Sequence, residues 1–363
     1  MQTTHRIIFE NADNMDAISN ESIHLVVTSP PYPMIALWDD LFCNLNPKIG
    51  DALKGQNGPL SFELMHQKLD PVWNEVWRIL KPGGIVCINI GDAARTLNGN
   101  FALYPNHSRI ITQMLNIGFT FLPSILWRKQ TNAPNKFMGS GMLPPSAYVT
   151  LEHEYILIFR KGPKRQFRHD DAKKNRRESA LFWEERNIWF SDMWTDVKGT
   201  TQNLSDGGAR NRSAAFPFEI PFRLINMFSV KGDTVVDPFA GIGTTVYAAM
   251  AAYRNSISYE LEKNLAESIF SETDRIVSIA NARTNKRLSD HITFLKSRAS
   301  KGRGKYQNIH YLFPVVTQQE RELLFCDLIA ALKTDENTVK ATYSAHPNIM
   351  TDILTDISDR IWQ

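Results

Sequence analysis

Cysteine is scarce in this sequence. The 363 residues include only Cys43, Cys87 and Cys326, and no two of them form a Cys-x-x-Cys pair. Disulfide frameworks and structural zinc sites need several cysteines at short spacings. The sequence therefore argues against both. We expect no metal and a reducing, cytoplasmic location.

Long apolar runs are also absent. Residues 1–10 lack the apolar core of a secretory signal. No segment approaches the ~18 consecutive apolar residues that a membrane helix needs. We therefore expect no membrane association.

Neither sign of charge dominates. Lys and Arg number 41 against 38 Asp and Glu, and the net charge is +3. Nucleic acid is thus permitted as a partner but not required. Positive charge is nevertheless concentrated: 160–177 holds nine Lys or Arg and two acids, and 283–305 holds eight and one. Either run could neutralise phosphates or be a solvated face.

Internal repeats and a Gly-Lys-Ser/Thr phosphate loop are missing as well, which excludes solenoids and P-loop proteins. Apolar strands alternate with helical patterns instead. The predicted strands include His24–Thr28, Ile85–Ile90, Tyr155–Phe159, Thr234–Asp237 and Ile257–Glu260. Such alternation is typical of an α/β fold with a mostly parallel sheet.

A glycine-bearing turn follows one of these strands. Asp237-Pro-Phe-Ala-Gly-Ile-Gly-Thr-Thr245 leads from the strand into a helix predicted over Gly241–Ala252. Gly241 and Gly243 allow a tight turn and close approach of a ligand. Glu260 closes the next strand, where a carboxylate can accept hydrogen bonds from ribose hydroxyls. The pattern predicts a site for a nucleotide-like molecule.

A second turn, Ser29-Pro-Pro-Tyr32, follows His24–Thr28. Two prolines in succession end a strand, because neither can donate to the ladder. By itself this pattern is most often a simple strand-ending turn. Its occurrence together with the Asp237–Thr245 turn points to a function.

Together the two turns resemble a known family. Asp-x-Phe-x-Gly-x-Gly resembles motif I of S-adenosylmethionine-dependent methyltransferases. Ser-Pro-Pro-Tyr resembles motif IV of the amino-methyltransferases that modify exocyclic amines of DNA bases. Motif IV precedes motif I here, which resembles the β group of these enzymes. The resemblance implies a circularly permuted, Rossmann-like α/β fold with a mostly parallel seven-stranded sheet, a small target-recognition insertion and a helical C-terminal tail.

The family's chemistry is consistent with these residue types. The lone pair of an exocyclic amine is delocalised into the base, so the amine is a poor nucleophile. The Ser29 hydroxyl and the Pro30 carbonyl would accept the amine protons and return the lone pair, and Pro31 has no N–H to compete. Tyr32 would stack on a base flipped out of the duplex.

The resemblance also implies which residues bind the cofactor and DNA. S-adenosylmethionine would contact residues of motifs I, II and X and polar residues after the first strand: Asp237, Pro238, Phe239, Gly241, Gly243, Thr244, Thr245, Glu260, Asn11, Asp13, Phe216 and Pro217. Basic residues of the insertion would contact DNA: Lys164, Arg165, Arg168, Lys173, Lys174, Arg176 and Arg177. Trp183, Trp189 and Trp194 nearby could stack on bases or fill a core.

Four regions are expected from this arrangement. Residues 1–160 form the catalytic half, 161–212 the target-recognition region, 213–275 the cofactor-binding half, and 276–363 a helical basic C-terminal region.

The interpretation we favour is a site-specific methyltransferase acting on the N4 amine of cytosine in double-stranded DNA, because Ser at position 29 resembles the N4-cytosine branch. A cognate restriction endonuclease would be a partner. The alternatives are adenine-N6 methylation on the same scaffold, an RNA or protein-amide methyltransferase, and a non-catalytic DNA-binding module.

Overall fold

The computed structural model describes residues 1–129, 143–145, 147–199, 216–271, 273–298 and 304–344. Within these residues, no helix is long and apolar enough to cross a membrane. The chain divides into two compact units. The terminal unit combines Met1–Phe9, Arg165–Ser191 and Phe218–Gln363, and the central unit combines Glu10–Lys164 and Asp192–Pro217.

The strands and helices alternate through most of the chain. In chain order the strands are β1 (Gln2–Ile8), β2 (Ile23–Thr28), β3 (Leu80–Ile90), β4 (Ala93–Leu97), β5 (Asn100–Tyr104), β6 (Thr120–Arg128), β7 (His153–Arg160), β8 (Met193–Trp194), β9 (Thr234–Asp237), β10 (Asn255–Tyr259), β11 (Tyr306–Gln307), β12 (Pro314–Val315), β13 (Leu328–Asp335) and β14 (Thr338–Tyr343). The helices are α1 (Asp39–Leu45), α2 (Pro47–Lys54), α3 (Gly58–Ile79), α4 (Asn106–Ile117), α5 (Asp170–Glu178), α6 (Trp183–Trp189), α7 (Glu219–Phe228), α8 (Thr244–Ala251), α9 (Ala266–Ser271) and α10 (Thr273–Ser297).

The sheet of the central unit has the order β2-β3-β7-β6-β8. Strands β2 and β3 are parallel, whereas β7 runs antiparallel to both β3 and β6. Thr28 is opposite Ile88, and Ile90 is opposite Tyr155. Because of these directions, the C-terminal ends of β2 and β3 meet the N-terminal end of β7 at one edge. That edge carries Ser29, Gly91 and Glu154.

The terminal unit has the strand order β13-β14-β1-β10-β9. Strand β1 is parallel to β10 and β10 to β9, and the β13–β14 hairpin adds antiparallel to β1. Buried His5 hydrogen-bonds Thr3 and Ser256, at 2.7 and 2.9 Å, and burial lowers its pKa to about 3. The first strand of the chain thus pairs with strands more than 240 residues later, as the circularly permuted order of the motifs requires.

The strands of the expected seven-stranded sheet are present. They are β1, β10 and β9 in the terminal unit and β2, β3, β7 and β6 in the central unit. Three further strands lengthen the pattern, since β14 and β13 follow β1 and β8 follows β6. The helix predicted from Gly241 begins at Thr244, because Gly241 and Gly243 have φ angles of +53° and +82°.

The expectation of a helical C-terminal region is wrong beyond α10. Helix α10 ends at Ser297, and the described residues 304–344 contain β11 to β14. Val339, Ala341 and Tyr343 alternate toward the core along β14, which is the period of a half-buried strand. This alternation was visible in the sequence. Residues 299–303 and 345–363 lie outside the described residues.

The expected target-recognition region 161–212 is not a unit of its own. Residues 165–191 belong to the terminal unit and 192–199 to the central unit, while 200–212 lie outside the described residues. Glu185 of α6 accepts two hydrogen bonds from Arg287 of α10, at 2.6 and 2.7 Å. Trp189 and Trp194 are buried. These two tryptophans therefore fill a core, whereas Trp183 is partly exposed.

Candidate active site

The Ser29–Tyr32 turn leaves β2 at the strand edge described above. Pro30 and Pro31 are buried, and Ser29 is half-buried. Tyr32 is 9% exposed, so its ring lies inside the central unit. The turn is therefore a packed element whose polar groups have fixed surroundings.

The Tyr32 hydroxyl is the centre of a hydrogen-bond network. It donates to Glu154 Oε2 at 2.9 Å. It accepts from Ser29 Oγ at 3.2 Å and from Asn89 Nδ2 at 2.7 Å. One donated and two accepted bonds use the full capacity of a phenol. Burial, and then the Glu154 charge, raise the pKa of Tyr32 well above its ordinary value.

Glu154 is tied to the network from several directions. Its Oε2 also accepts from Asn89 Nδ2 at 2.7 Å, and its Oε1 accepts from Lys129 Nζ at 2.9 Å. The Glu154 side chain is 12% exposed, whereas that of Lys129 is 47% exposed. The carboxylate therefore lies between a buried phenol and a cation that reaches solvent.

Neighbouring residues leave room for the Tyr32 ring. A Cβ on Gly91 would lie 3.1 Å from Tyr32 Cε2 and 3.3 Å from Glu154 Cγ, so a side chain here would crowd both. Fully buried Asn106 donates to the carbonyls of Pro33 and Gly91, each at 3.0 Å. These bonds connect the turn to the end of β3.

Asn89, Glu154, Lys129 and Asn106 were not identified from the sequence as site residues. A buried asparagine in the apolar strand Ile85–Ile90 is a signal that could have marked Asn89, because a buried amide needs partners. Glu154 precedes the apolar run 155–159. Nothing in the sequence alone pairs it with Tyr32.

The Asp237–Thr245 turn in the terminal unit is shaped by carboxylates. Asp237 is buried; its Oδ1 accepts from the Phe239 amide at 3.0 Å and its Oδ2 from Thr245 Oγ1 at 2.6 Å. Asp237 therefore holds both the turn and the first residues of α8. Pro238 is buried, and Thr244 begins the helix.

Glu260 closes the turn from the other side. Its Oε2 accepts from the Gly241 amide at 2.7 Å, and its Oε1 accepts from the Glu262 amide at 2.9 Å. The Leu261 amide also hydrogen-bonds this carboxylate. A carboxylate has about four acceptor sites, so one remains for a further donor. A Cβ on Gly241 would meet nothing within 4 Å, so the backbone here faces open space. This arrangement fits a ligand with hydroxyl donors.

Burial raises the pKa of Glu260 above its ordinary value of 4.5. The amides of Glu262 and Gly241 act in the opposite direction, because they hydrogen-bond the ionised form.

The remaining predicted cofactor contacts lie in the central unit. Asn11 and Asp13 are exposed and bonded to each other, with Asn11 Nδ2 donating to Asp13 Oδ2 at 2.8 Å. Phe216 and Pro217 are buried.

The seven basic residues predicted to contact DNA divide into two groups. Arg165 makes a bidentate ion pair with buried Asp233, at 2.6 and 3.0 Å, and so stabilises the terminal unit. Arg177 pairs with Glu322 at 2.8 Å. The others are exposed, and two of them pair along α5: Lys173 with Asp170 at 2.9 Å and Lys174 with Glu178 at 3.8 Å. The exposed group comprises Lys164, Arg168, Lys173, Lys174 and Arg176, besides Arg177.

One cluster in the described part of the chain has residues of metal-ligand type. Atoms of Glu184, His291 and Glu320 lie within 4.8 Å of one another. His291 already bonds Glu184 through Nδ1 at 2.6 Å and the Pro314 carbonyl through Nε2 at 2.9 Å. Glu320 accepts from the Trp183 amide at 2.9 Å. These bonds hold α6 and α10 to the C-terminal strands.

Comparison with known proteins assigns the chain to one enzyme family. Residues 23–272 match a family model described as DNA methylase, which covers N6 and N4 methyltransferases. The match spans more than half of the chain and includes both turns. The chain therefore belongs to the N6/N4 DNA amino-methyltransferase family.

Curated relatives agree. The chain is 53% identical over 324 residues to the type II methyltransferase M.MthZI of Methanothermobacter thermautotrophicus, covering 89% of this chain and 90% of that one. It is 54% identical over 274 residues to the type II methyltransferase M.MjaI of Methanocaldococcus jannaschii, covering 72% and 89%.

Solved structures support the fold. TTHA0409 of Thermus thermophilus, a candidate DNA modification methylase solved with S-adenosyl-L-methionine, is 31% identical with a TM-score of 0.57, covering 76% of this chain and 95% of that one. The expected α/β methyltransferase fold is confirmed. The protein is an S-adenosylmethionine-dependent DNA methyltransferase.

Proposed function

We propose that the protein methylates the N4 amine of cytosine in double-stranded DNA. Ser29 carries this proposal. Serine at the first position of this motif resembles the sequences of the N4-cytosine branch of the family. The Ser29 hydroxyl lies just after β2, and its proton is directed at the Tyr32 hydroxyl. An oxygen so oriented keeps its lone pairs for the amine.

In this proposal the central unit holds the base. Ser29 and the Pro30 carbonyl accept the amine protons, so the nitrogen lone pair becomes available. Pro31 supplies no competing donor. The Tyr32 ring stacks on the flipped cytosine. These residues act by positioning and by electrostatics, without a covalent enzyme intermediate.

The terminal unit binds the cofactor in the same proposal. S-adenosylmethionine supplies an electrophilic methyl group as its sulfonium. Glu260 accepts from a ribose hydroxyl with its remaining lone pair, and Asp237 keeps the Gly241–Gly243 turn in shape. The N–C bond forms as the C–S bond breaks, and the methylated amine releases its proton to water.

Nucleoside analysis tests the choice of base. Purified enzyme is incubated with S-adenosylmethionine carrying a deuterated methyl group and unmethylated double-stranded DNA, and the digested DNA is examined by mass spectrometry. Labelled N4-methylcytosine is expected. Labelled N6-methyladenine would overturn the choice of base and leave the family assignment intact. Single-stranded DNA and RNA in parallel reactions test the substrate.

We propose further that the enzyme belongs to a type II restriction–modification system with a cognate endonuclease. The support is that M.MthZI and M.MjaI are named type II methyltransferases. Sequencing of the modified DNA should then find methylation in one short sequence, at every copy. Methylation scattered over unrelated sequences would contradict this proposal.

The exposed basic residues are proposed to contact phosphates. Arg168→Ala should weaken DNA binding. It should also reduce the salt slope, the steepness with which the logarithm of the binding constant falls with the logarithm of salt concentration, by about 0.9 for each phosphate that is no longer neutralised. Arg165→Ala is the matched variant. It should lower the free energy of unfolding by about 1–2 kcal/mol, because Asp233 loses two charged hydrogen bonds, and it should leave the salt slope unchanged. Fluorescence titrations at several salt concentrations and urea unfolding measure the two effects.

A further inference from the structure

The hydroxyl groups at the Ser29 turn form a directed series. A hydroxyl has one proton and can donate only one hydrogen bond. Tyr32 donates its proton to Glu154, so it can only accept from Ser29. The Ser29 proton therefore points at Tyr32, 3.2 Å away.

Glu154 gives this series its direction. Lys129, Asn89 and Tyr32 all donate to its two oxygens, and a carboxylate paired with a lysine accepts only. Bonds to an ionised acceptor are stronger than neutral ones. Reversal of the Tyr32 hydroxyl would place its proton against the Asn89 amide or turn it toward Ser29. The observed direction is thus the favoured one.

We propose that Glu154 is a positioning residue that, through Tyr32, holds the Ser29 proton away from the substrate amine. This inference rests on the proposed function, in which Ser29 accepts an amine proton. A serine needs such control because its hydroxyl can present either a proton or a lone pair. The carboxylate of an aspartate at position 29 would need none.

The decisive variant is Glu154→Met, which keeps the length of the side chain and removes the acceptor. Of the three atoms hydrogen-bonded to the Tyr32 hydroxyl, Ser29 Oγ is then the one left that can accept a proton. The Ser29 proton is driven outward, where it opposes the amine. We expect kcat to fall by about 10- to 100-fold, less than the about 10²–10³-fold cost of removing an oriented hydrogen-bonding group outright, because Ser29 itself is kept. The Kd for S-adenosylmethionine should stay unchanged.

Two further variants separate positioning from a merely structural role. Glu154→Gln keeps an oxygen that can accept from Tyr32, so it should retain most of the kcat lost in Glu154→Met. Tyr32→Phe keeps the ring and removes the hydroxyl, so Glu154→Met should cause no further loss of kcat in that background. If the fold-losses in kcat of the two single variants multiply in the double variant, Glu154 and Tyr32 act independently, and the coupling through Tyr32 is contradicted.

Glu152→Met is the matched control. Glu152 lies two residues away and pairs with exposed Arg128 at 3.1 Å, without contact to Tyr32. Its kcat should equal that of the unaltered enzyme. Thermal unfolding of all variants identifies any that do not fold; if Glu154→Met is one of them, comparison of Glu154→Gln with Tyr32→Phe decides the question.

Ser29→Ala separates this inference from the proposed function. If Ser29→Ala loses activity while Glu154→Met keeps full kcat, Glu154 has no positioning role and the proposed function stands. If Ser29→Ala keeps full kcat, the role of Ser29 fails, and the inference fails with it.

Discussion

The turn after β2 and the turn after β9 follow strands of similar length but are stabilised differently. The Asp237–Thr245 turn is shaped by carboxylates that accept backbone amides, as Glu260 does from Gly241. The Ser29–Tyr32 turn contains two residues without amide donors, and a carboxylate orients its side-chain hydroxyls instead. The first arrangement fixes a backbone path, which the proposed function uses for binding. The second fixes the direction of a proton, which the proposed function uses for chemistry.

This difference predicts that damage to the two turns changes different constants. Ser29→Ala should give the largest effect, a fall in kcat of about 10²–10³-fold, because an acceptor is lost in the transition state. The Kd for S-adenosylmethionine should not change. Single-turnover kinetics and calorimetry measure the two quantities. If Ser29→Ala instead weakened S-adenosylmethionine binding and left kcat unchanged, the roles given to the two turns would be reversed.

Asp237→Ala should show the opposite pattern. Loss of this carboxylate removes two hydrogen bonds, those from the Phe239 amide and the Thr245 hydroxyl, so the turn relaxes. We expect the Kd for S-adenosylmethionine to rise by about 10- to 100-fold, the equivalent of one or two buried hydrogen bonds. Calorimetric titration measures it. Thr284→Ala, which removes a buried hydrogen bond to Tyr253 elsewhere in the terminal unit, is the control for general damage. An unaltered Kd in Asp237→Ala would contradict the role of the turn.

Gly91→Ala tests how tightly the Tyr32 ring is held. The new Cβ would lie 3.1 Å from the ring, so the ring or Glu154 must move. We expect kcat to fall by about tenfold, since small displacements of positioning groups are costly. Gly50→Ala, with its nearest neighbour at 3.5 Å, should leave kcat unchanged. Equal effects of the two substitutions would mean that crowding of Tyr32 is not the cause.

The smallest predicted effect is on pH dependence. Burial raises the pKa of Glu260. In the proposed function it is the ionised carboxylate that accepts from a ribose hydroxyl. Affinity for S-adenosylmethionine should be full above that raised pKa and fall as the pH drops through it, by at most about tenfold for one charged hydrogen bond. Calorimetry between pH 7.5 and 5 measures this. In Glu260→Gln, the affinity for S-adenosylmethionine should change less with pH. If the variant shows the same pH dependence as the unaltered enzyme, another group is responsible for the titration.

The sequence predicted both turns because each combines residues with strong local preferences. Two prolines end β2, and Gly241 and Gly243 adopt φ angles that other residues avoid. It did not predict the partners of Tyr32. Asn89 and Glu154 are 57 and 122 residues away from Tyr32, and only the strand register brings them to it.

The C-terminal strands were missed for another reason. The basic run 283–305 lies within and just after α10, and its helical character was extended over residues that alternate in strand fashion. Arg165 lies in the basic run 160–177, for which the resemblance implies contact with DNA. Its pairing with Asp233 depends on packing across 68 residues, which local charge density does not reveal.

The position of β1 has a consequence for synthesis of the chain. Its partners in the sheet lie far along the sequence: His5 bonds Ser256, 251 residues later, and Thr3 bonds Tyr343, 340 residues later. During translation, β1 emerges long before its neighbours and must remain unpaired until β10 and then β14 leave the ribosome. The central unit, whose described segments lie between residues 10 and 217, can fold in the meantime. Strand β1 is thus made before the central unit but completes its pairing after it.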